Sequence, residues 1–103
     1  MADYVLSNKA DDDLGRIYTY SLQTFGEARA DAYFLGLRDC LQVLADNPRL
    51  GRPAELVPAE LLRHEHGRHI VFYLTEAGGI FIVRVLHRGM DAPRHMDAED
   101  GSH

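Results

Sequence analysis

The chain has 103 residues, enough for one folded domain, and its 46% hydrophobic and 26% charged residues are typical of a soluble globular protein. A formal net charge of -5 disfavours a protein that holds nucleic acid mainly through the phosphate backbone. No apolar run approaches the roughly 20 residues of a membrane helix and no signal-peptide pattern opens the chain, so we expect a cytoplasmic protein that does not enter a membrane. The single cysteine, Cys40, excludes an internal disulfide and fits a reducing compartment.

A short strand and a first helix are predicted at the start of the chain. Residues 4–6 form the strand candidate, and the hydroxyl of Ser7 can accept hydrogen bonds from the free amides of a first helical turn. Apolar residues at helical spacing predict a helix from about Asn8 to Gln23, with Gly26 as its stop signal. The acidic run 11–13 is interpreted as a solvated helix start, which the helix dipole favours, and not as a metal cluster.

A second helix has the clearest pattern in the sequence and is predicted from about Glu27 to Asp46. Its apolar residues recur at steps of three and four, and Asn47-Pro48 ends it. Because the link between the helices is short, we expect an antiparallel helical hairpin. Cys40 lies on the apolar stripe and is interpreted as a core residue, with a catalytic thiol as the minor alternative.

The second half of the chain predicts an antiparallel meander after a turn-rich connector over residues 47–60. The three predicted strands are Leu61–His66, His69–Thr75 and Gly79–Asp91. The element order strand, helix, helix, strand, strand, strand predicts a small α+β domain in which the helical hairpin packs on one face of a small antiparallel sheet. We expect residues 1–96 to form this single domain and residues 97–103 to form a polar, loose tail.

The last predicted strand is apolar on both faces, which is typical of a strand inside a sheet. Side-chain alternation divides it into two faces. One face would hold Phe81, Val83, Val85 and His87, and the other Ile80, Ile82, Arg84, Leu86 and Arg88. Arg84 must reach a carboxylate, a phosphate, a ring face or water, because an unpaired buried charge is very costly. We therefore expect one face against the core and the other along a partly solvated groove.

The histidines allow a metal hypothesis, because His64, His66 and His69 form the pattern HxHxxH. Zinc needs about four ligands in a closed geometry, and here a hairpin turn separates the third histidine from the first two. No cysteine or acidic residue has matching spacing. The sequence therefore favours ordinary surface or hydrogen-bonded histidines, with no metal and no cofactor.

A second set of polar residues allows a hypothesis of RNA cleavage through the 2′-hydroxyl, in which arginine stabilises the developing charge and histidine or tyrosine moves protons. This set contains Arg63, Arg68, Tyr73, Arg84, His87 and His95. For a ribonuclease we would choose Arg63, Arg84 and His87 as catalytic residues. Alternation argues against one site, because Arg84 and His87 are three positions apart on one strand. The alternative is structural, with His87 anchoring the strand end and Arg84 pairing with a carboxylate or a partner.

Three segments, in order and in register, resemble the ParE-type toxins of the RelE/ParE superfamily. They are LGRP at 50–53, GRHIVFY at 67–73 and VRVLHRGMD at 83–91. This resemblance covers nearly the whole chain and implies the toxin of a type II toxin–antitoxin pair. ParE-like toxins are associated with inhibition of DNA gyrase and are neutralised by a ParD-like antitoxin, through which alone they contact DNA. RelE-like relatives cut mRNA with a basic cluster, and this acidic chain, whose only lysine is Lys9, favours the ParE branch.

The resemblance and the apolar pattern together predict two contact surfaces. An amphipathic antitoxin segment is expected to dock by helix-in-groove contact or by strand addition. The candidate antitoxin contacts are Tyr18, Tyr33, Phe34, Leu37, Ile82, Arg84 and Leu86. The candidate target contacts are Met90, Arg94 and His95, where the chain leaves the sheet. Two other functions stay open, namely a ribosome-dependent endoribonuclease and an inactive domain that contributes only to antitoxin-bound autorepression.

Overall fold

The computed structural model describes residues 2–90 and residue 92, and its helices and longer strands follow the predicted order. They are β1 (Asp3–Leu6), α1 (Asn8–Phe25), α2 (Glu27–Asp46), a short 3-10 helix (Pro48–Leu50), β2 (Arg52–Pro53), β3 (Leu62–His66), β4 (His69–Glu76) and β5 (Gly79–His87). Within the described chain, neither helix combines the length and the apolar character needed to cross a membrane. The predicted tail 97–103 lies outside the described residues.

Two residues define the helical hairpin. Ser7 caps α1 as predicted, because its Oγ accepts a hydrogen bond from the Ala10 amide at 2.9 Å. The same hydroxyl donates to the Val83 carbonyl at 2.8 Å, which attaches the start of α1 to β5. Gly26 alone links α1 to α2, with a φ of 88° that favours glycine. The predicted ends of α2 are confirmed, and α1 runs two residues beyond the predicted Gln23 to Phe25.

The five strands form one mixed sheet in the order β1-β5-β4-β3-β2. The predicted antiparallel meander is confirmed for β3, β4 and β5. The sheet as a whole is mixed, because β1, for which no pairing was predicted, joins β5 in parallel. A sequence pattern shows that a strand exists but carries no information on its direction. The two-residue strand β2, which pairs with β3, was predicted as connector. The predicted strand Gly79–Asp91 ends at His87, where the Met90 amide donates to the His87 carbonyl at 3.0 Å.

A β-bulge at Val83 changes the faces of β5. Phe72 lies opposite Arg84 and the next residue, Tyr73, lies opposite Ile82, so Val83 is an extra residue on β5. Ile82 and Val85 consequently pack in the same core cluster, although regular alternation assigned them to opposite faces. The predicted division of this strand into two faces is therefore wrong beyond Ile82.

Both faces of the sheet carry packed cores. The helix-facing core contains Ala10, Leu14, Ile17, Leu37, Leu41, Leu44, Ala45, Val71, Tyr73, Ile80, Ile82 and Val85. The far face carries a smaller core of Leu61, Ile70, Phe72 and Leu86, packed with Ala54, Leu56, Leu74, Val83 and Ala92. Because Ala54, Leu56 and Leu61 come from the segment between β2 and β3, this connector covers the far face. The far face is thus a second core where the sequence predicted a partly solvated groove, and β5 is an interior strand as predicted.

Candidate functional site

A buried ion pair joins α1 to β5. Arg84 Nε donates to Asp13 Oδ2 at 2.7 Å, and Arg84 Nη2 donates to Asp13 Oδ1 at 2.8 Å. The Val85 amide also donates to Asp13 Oδ2, at 3.0 Å. The structural interpretation of Arg84 as the partner of a carboxylate is confirmed. The interpretation of the acidic run as a solvated helix start is wrong for Asp13, which is only 5% exposed.

A second polar cluster connects α2 to the hairpin between β3 and β4. Tyr33 Oη lies 2.6 Å from His69 Nδ1 and 3.2 Å from the His66 carbonyl oxygen. It also accepts a hydrogen bond from the Arg68 amide at 3.1 Å. A β-carbon on Gly67 would lie 2.8 Å from the Tyr33 ring, so the turn needs glycine for space as well as for its φ of 55°. Tyr33, a predicted antitoxin contact, is thus half-buried and engaged with this turn.

The electrostatics of this cluster keep His69 uncharged at neutral pH. Burial, followed by the neighbouring His87, lowers the pKa of His69 from 6.5 to about 4. Burial also raises the pKa of the Tyr33 hydroxyl. The rings of His69 and His87 meet edge to face with their centroids 5.6 Å apart. His69 is therefore a neutral, hydrogen-bonding group at neutral pH and not a cationic one.

Two cavities of about 230 and 410 Å³ share Tyr20, His69 and His87 in their walls. The smaller one, between the ends of α1, α2 and β5, is also lined by Ser21, Phe25, Arg29, Tyr33 and Arg68. The larger one continues along Asp13, Arg16, Ile17, Arg84, Val85, Leu86 and Met90. We call the two together the histidine cleft. Arg84 and His87 both line the larger cavity. The register of β5 against β4 is regular from Arg84 to His87, so the two residues alternate as predicted. The cavity reaches both because it is lined by four consecutive residues of β5, 84–87, and so runs along the edge of that strand.

The other residues of the ribonuclease hypothesis lie elsewhere. Arg63 lines a separate cavity with Leu50, Arg52, His64 and Glu65. Its guanidinium lies 3.4 Å from Glu65, a carboxylate that also faces Arg52 and Arg88 at 3.6 Å each. The Tyr73 hydroxyl is fully buried and donates to the Pro48 carbonyl at 2.6 Å, which gives it a structural role. His95 lies outside the described residues.

The histidines do not form a metal centre in the part of the chain that the structure describes. Among these residues, no group of three or more His, Cys, Asp or Glu side chains is arranged to hold an ion. His66 and His69 instead face Tyr33, with ring centroids at 5.8 and 5.5 Å. Burial lowers the pKa of His66, as it does for His69.

A wide groove of about 870 Å³ lies between α1, α2 and β1, and we call it the hairpin groove. It is lined by Tyr4, Leu6, Asp11, Leu14, Gly15, Tyr18, Thr19, Phe34 and Arg38. The rings of Tyr18 and Phe34 meet edge to face with their centroids 5.6 Å apart. The Tyr18 hydroxyl donates to Asp31 Oδ1 at 2.7 Å, which fixes the position of this ring. Tyr18 and Phe34 are thus brought together at a partly exposed apolar surface.

The other predicted antitoxin contacts are mostly inaccessible. Leu37, Ile82 and Leu86 are at most 2% exposed, and Arg84 is occupied by Asp13. The predicted contact surface therefore has to be corrected, since Leu37, Ile82 and Leu86 lie in the two cores and Arg84 is buried in its ion pair. Tyr4 and Leu6, which line the groove instead, were missed. Side-chain alternation in β1 places Tyr4 and Leu6 on the same face, which was the available signal. That face could not be assigned to the groove from the sequence, because the pairing of β1 with β5 had not been predicted.

Of the predicted target contacts, only Met90 lies within the described residues. It is 47% exposed and lines the larger cavity of the histidine cleft. Arg94 and His95 lie outside the described residues.

In a comparison with known protein families, residues 4–92 match the family described as the ParE toxin of type II toxin–antitoxin system, parDE. Toxin ParE1 of Caulobacter vibrioides is 38% identical over 96 residues, covering 93% of this chain and 99% of that protein. Toxin ParE1 of Mycobacterium tuberculosis is 33% identical over 94 residues, covering 90% of this chain and 96% of that protein.

Solved structures show the same fold. A chain of the chromosomal ParDE toxin–antitoxin system from P. aeruginosa superposes with a TM-score of 0.71 at 23% identity, covering 84% of this chain and 96% of that one. A chain of the toxin–antitoxin complex RelBE2 from Mycobacterium tuberculosis gives a TM-score of 0.56 at 21% identity, covering 84% of this chain and 98% of that one. The predicted α+β fold of the RelE/ParE type is confirmed.

Proposed function

This chain belongs to the ParE family of type II toxins, and we propose that it inhibits DNA gyrase and is neutralised by a ParD-like antitoxin. In this proposal the protein acts by binding other proteins and breaks no covalent bond. It needs no cofactor, and it meets DNA only through the antitoxin.

The hairpin groove is the observation that supports antitoxin binding most directly. Tyr18 and Phe34 form an aromatic pair in a groove that also contains the apolar side chains of Tyr4, Leu6 and Leu14. Asp11 and Arg38 add one charge of each sign to its lining. An amphipathic helix could lay its apolar face on such a surface and place its polar residues at the rim.

The edge of the sheet offers a second mode of antitoxin binding. β1 is the first strand in the sheet order, so one of its sides pairs with β5 and the other has no strand beside it among the described residues. An extended segment could add there through main-chain hydrogen bonds. Since Tyr4 and Leu6 belong to β1 and line the hairpin groove, one antitoxin chain could use both surfaces.

Charge and ion pairing support a binding toxin over a ribonuclease. The net charge is -5, and RNA would have to approach an acidic protein. Arg84 forms a bidentate pair with Asp13, while Arg52, Arg63 and Arg88 surround Glu65. The one observation in favour of catalysis is that Arg84 and His87 line one cavity. Arg84 would have to leave a buried carboxylate to stabilise a phosphorane-like charge, which is costly.

For the target we retain Met90, Arg94 and His95 as the proposed contacts. The exposed side chain of Met90 supports this assignment, because an exposed methionine next to a cavity suits an adaptable protein contact. Deletion of residues 90–95 is expected to abolish toxicity and to leave antitoxin affinity nearly unchanged. Loss of both activities would instead mean that this segment has a structural role.

Two parallel assays test the proposed function. The purified chain is added to DNA gyrase, and supercoiling and the accumulation of cleavage complexes are measured. The same preparation is added to a translating extract, and mRNA is examined by primer extension. We expect inhibition in the first assay that is reversed by the antitoxin, and intact mRNA in the second. Cleaved transcripts together with unaffected gyrase would overturn the proposal in favour of the endoribonuclease.

A further inference from the structure

The Nδ1 atom of His69 is engaged inside the protein. It lies 2.6 Å from Tyr33 Oη, which also accepts a hydrogen bond from the Arg68 amide and lies 3.2 Å from the His66 carbonyl oxygen. The hydrogen bond between Tyr33 and His69 can run in either direction, and its direction sets which ring nitrogen of a neutral His69 carries the proton. When Tyr33 donates to Nδ1, the proton of His69 is on Nε2.

The backbone sets the tautomer of His87. Its Nδ1 accepts a hydrogen bond from the Gly89 amide at 3.0 Å, so the neutral ring carries its proton on Nε2. Both histidines line both cavities of the histidine cleft. Two imidazole rings, each held by a hydrogen bond at its Nδ1 and able to donate through Nε2, therefore lie side by side.

The charges around these donors are almost all positive. Arg29 and Arg68 line the smaller cavity, and Arg16 and Arg84 line the larger one. Among the described residues that line the cleft, Asp13 is the only acid, and it is already bonded to Arg84 and to the Val85 amide. An acidic protein thus has a local site rich in N–H donors and poor in acceptors. Such a site is complementary to an oxyanion.

We propose that the histidine cleft binds a small organic oxyanion, a carboxylate or a phosphate monoester, with its charged group between the two histidines and the Arg68 guanidinium. In this proposal Tyr33 donates to His69 Nδ1, which leaves His69 Nε2–H as a donor to the ligand. The neutral state of His69 near pH 7 supports this role, since such a donor carries no buried charge to desolvate.

The body of the ligand is expected to be apolar and planar. Tyr20 is 60% exposed and borders both cavities, and Phe25 lies beside it in the smaller one. The Arg68 guanidinium stacks 4.8 Å above the Phe25 ring, which holds the cation at the edge of the cleft. The smaller cavity, with about 230 Å³, has room for a single ring with its acidic substituent.

The test uses three small probes and the full-length protein. Phenyl phosphate and N-acetyl-phenylalanine carry the two kinds of oxyanion, and N-acetyl-phenylalanine amide is the uncharged match. Binding is followed through the histidine ring signals in nitrogen-correlated NMR spectra. We expect at least one of the anions to shift the His69 and His87 signals saturably, and the amide to bind at least tenfold more weakly. Comparison of the two anions shows which kind of oxyanion is preferred.

Substitutions locate the binding site. Arg68→Gln is expected to weaken binding of the anion about tenfold, since it removes one charge-assisted hydrogen bond. Arg49→Gln is the matched control, because Arg49 is exposed and lines neither cavity, and it is expected to leave binding unchanged. Equal weakening by both variants, or equal binding of the anions and the amide, would overturn the proposal.

The tautomers provide a test that needs no ligand. The ring nitrogen shifts of the free protein are expected to show protons on Nε2 of both histidines at pH 7. In Tyr33→Phe, the His69 ring loses the donor to Nδ1 and is expected to become a mixture of tautomers, with the anion bound several-fold more weakly. A proton on Nδ1 of His69 in the unsubstituted protein would remove the donor on which the site depends.

Discussion

Asp13 and Arg84 form a buried bidentate ion pair although 71 positions separate them in the sequence. The pair attaches the second turn of α1 to β5. It does so on the edge of β5 that faces β1, at a point beyond Leu6, where β1 has ended and no strand lies beside β5. Asp13 also accepts the Val85 amide, so one carboxylate satisfies both the guanidinium and the free edge of the strand. In the two hydrogen bonds from Arg84, both the donor and the acceptor are charged.

We expect removal of either partner to destabilise the fold strongly. Asp13→Ala leaves a buried guanidinium without this carboxylate and a strand amide without its acceptor, at a cost of about 3–5 kcal/mol. Urea denaturation measures the change in unfolding free energy. Asp12→Ala, at the exposed neighbouring position, is the control and is expected to stay within about 0.5 kcal/mol. A small effect of Asp13→Ala would show that the pair contributes little to stability.

Tyr73 anchors the segment between α2 and β2 to the sheet. Its hydroxyl donates to the Pro48 carbonyl and accepts from the Gly51 amide at 2.9 Å, at a position with no exposed surface. Tyr73→Phe leaves both backbone groups without this partner, and we expect a loss of about 1–3 kcal/mol in unfolding free energy. Tyr20→Phe, at a 60% exposed position, serves as the control. Equal unfolding midpoints for both variants would contradict the anchoring role.

The lowered pKa of His69 makes stability depend on pH in a defined window. The unfolded chain binds this proton near pH 6.5 and the folded chain only near pH 4, so the unfolded state is favoured as the pH falls through that interval. The full contribution is present above pH 6.5, and about 3 kcal/mol is lost by pH 4.

His69→Asn isolates this contribution from that of the other titrating groups. The asparagine oxygen can accept the Tyr33 hydroxyl but takes up no proton in this range. Urea midpoints of both proteins between pH 4 and 7 are expected to converge as the pH is lowered, because only the histidine protein loses this contribution. Parallel curves would show that His69 does not titrate as described.

The hairpin groove gives a matched pair of substitutions on α2. Phe34→Glu places a charge beside Tyr18 in the groove, and we expect antitoxin affinity to fall at least tenfold. Leu35→Glu changes the next residue, which is 55% exposed and does not line the groove, and is expected to leave affinity unchanged. Calorimetric titration with the antitoxin measures both, and circular dichroism checks that both are folded. Similar affinities for the two variants would place the antitoxin elsewhere.

Local patterns were sufficient to predict the helices. The apolar spacing predicted α2 at both ends, and the capping hydroxyl of Ser7 and the glycine at position 26 predicted the limits of the hairpin closely. These features depend on neighbours within a few residues, which a sequence displays directly.

Features that depend on distant pairing were not predictable in the same way. The bulge at Val83 has no signature in the strand itself, and it places Val85 in the same core cluster as Ile82. Similarly, three consecutive aspartates look alike in a sequence, and only packing against β5 distinguishes Asp13 from its neighbours. Its spacing of four from the core residue Ile17 was the one available indication.

The parallel pairing of β1 with β5 has a consequence for the timing of toxin synthesis. The first strand, β1, pairs only with the last strand, β5. Ser7 likewise bonds to Val83, and Asp13 bonds to Arg84 and Val85. While the ribosome is still making the middle of the chain, the helical hairpin has no β5 on which to close. The native toxin therefore forms late, after translation has passed residue 87. A nascent or truncated product that lacks this strand would be a substrate for proteases and would not be an active toxin.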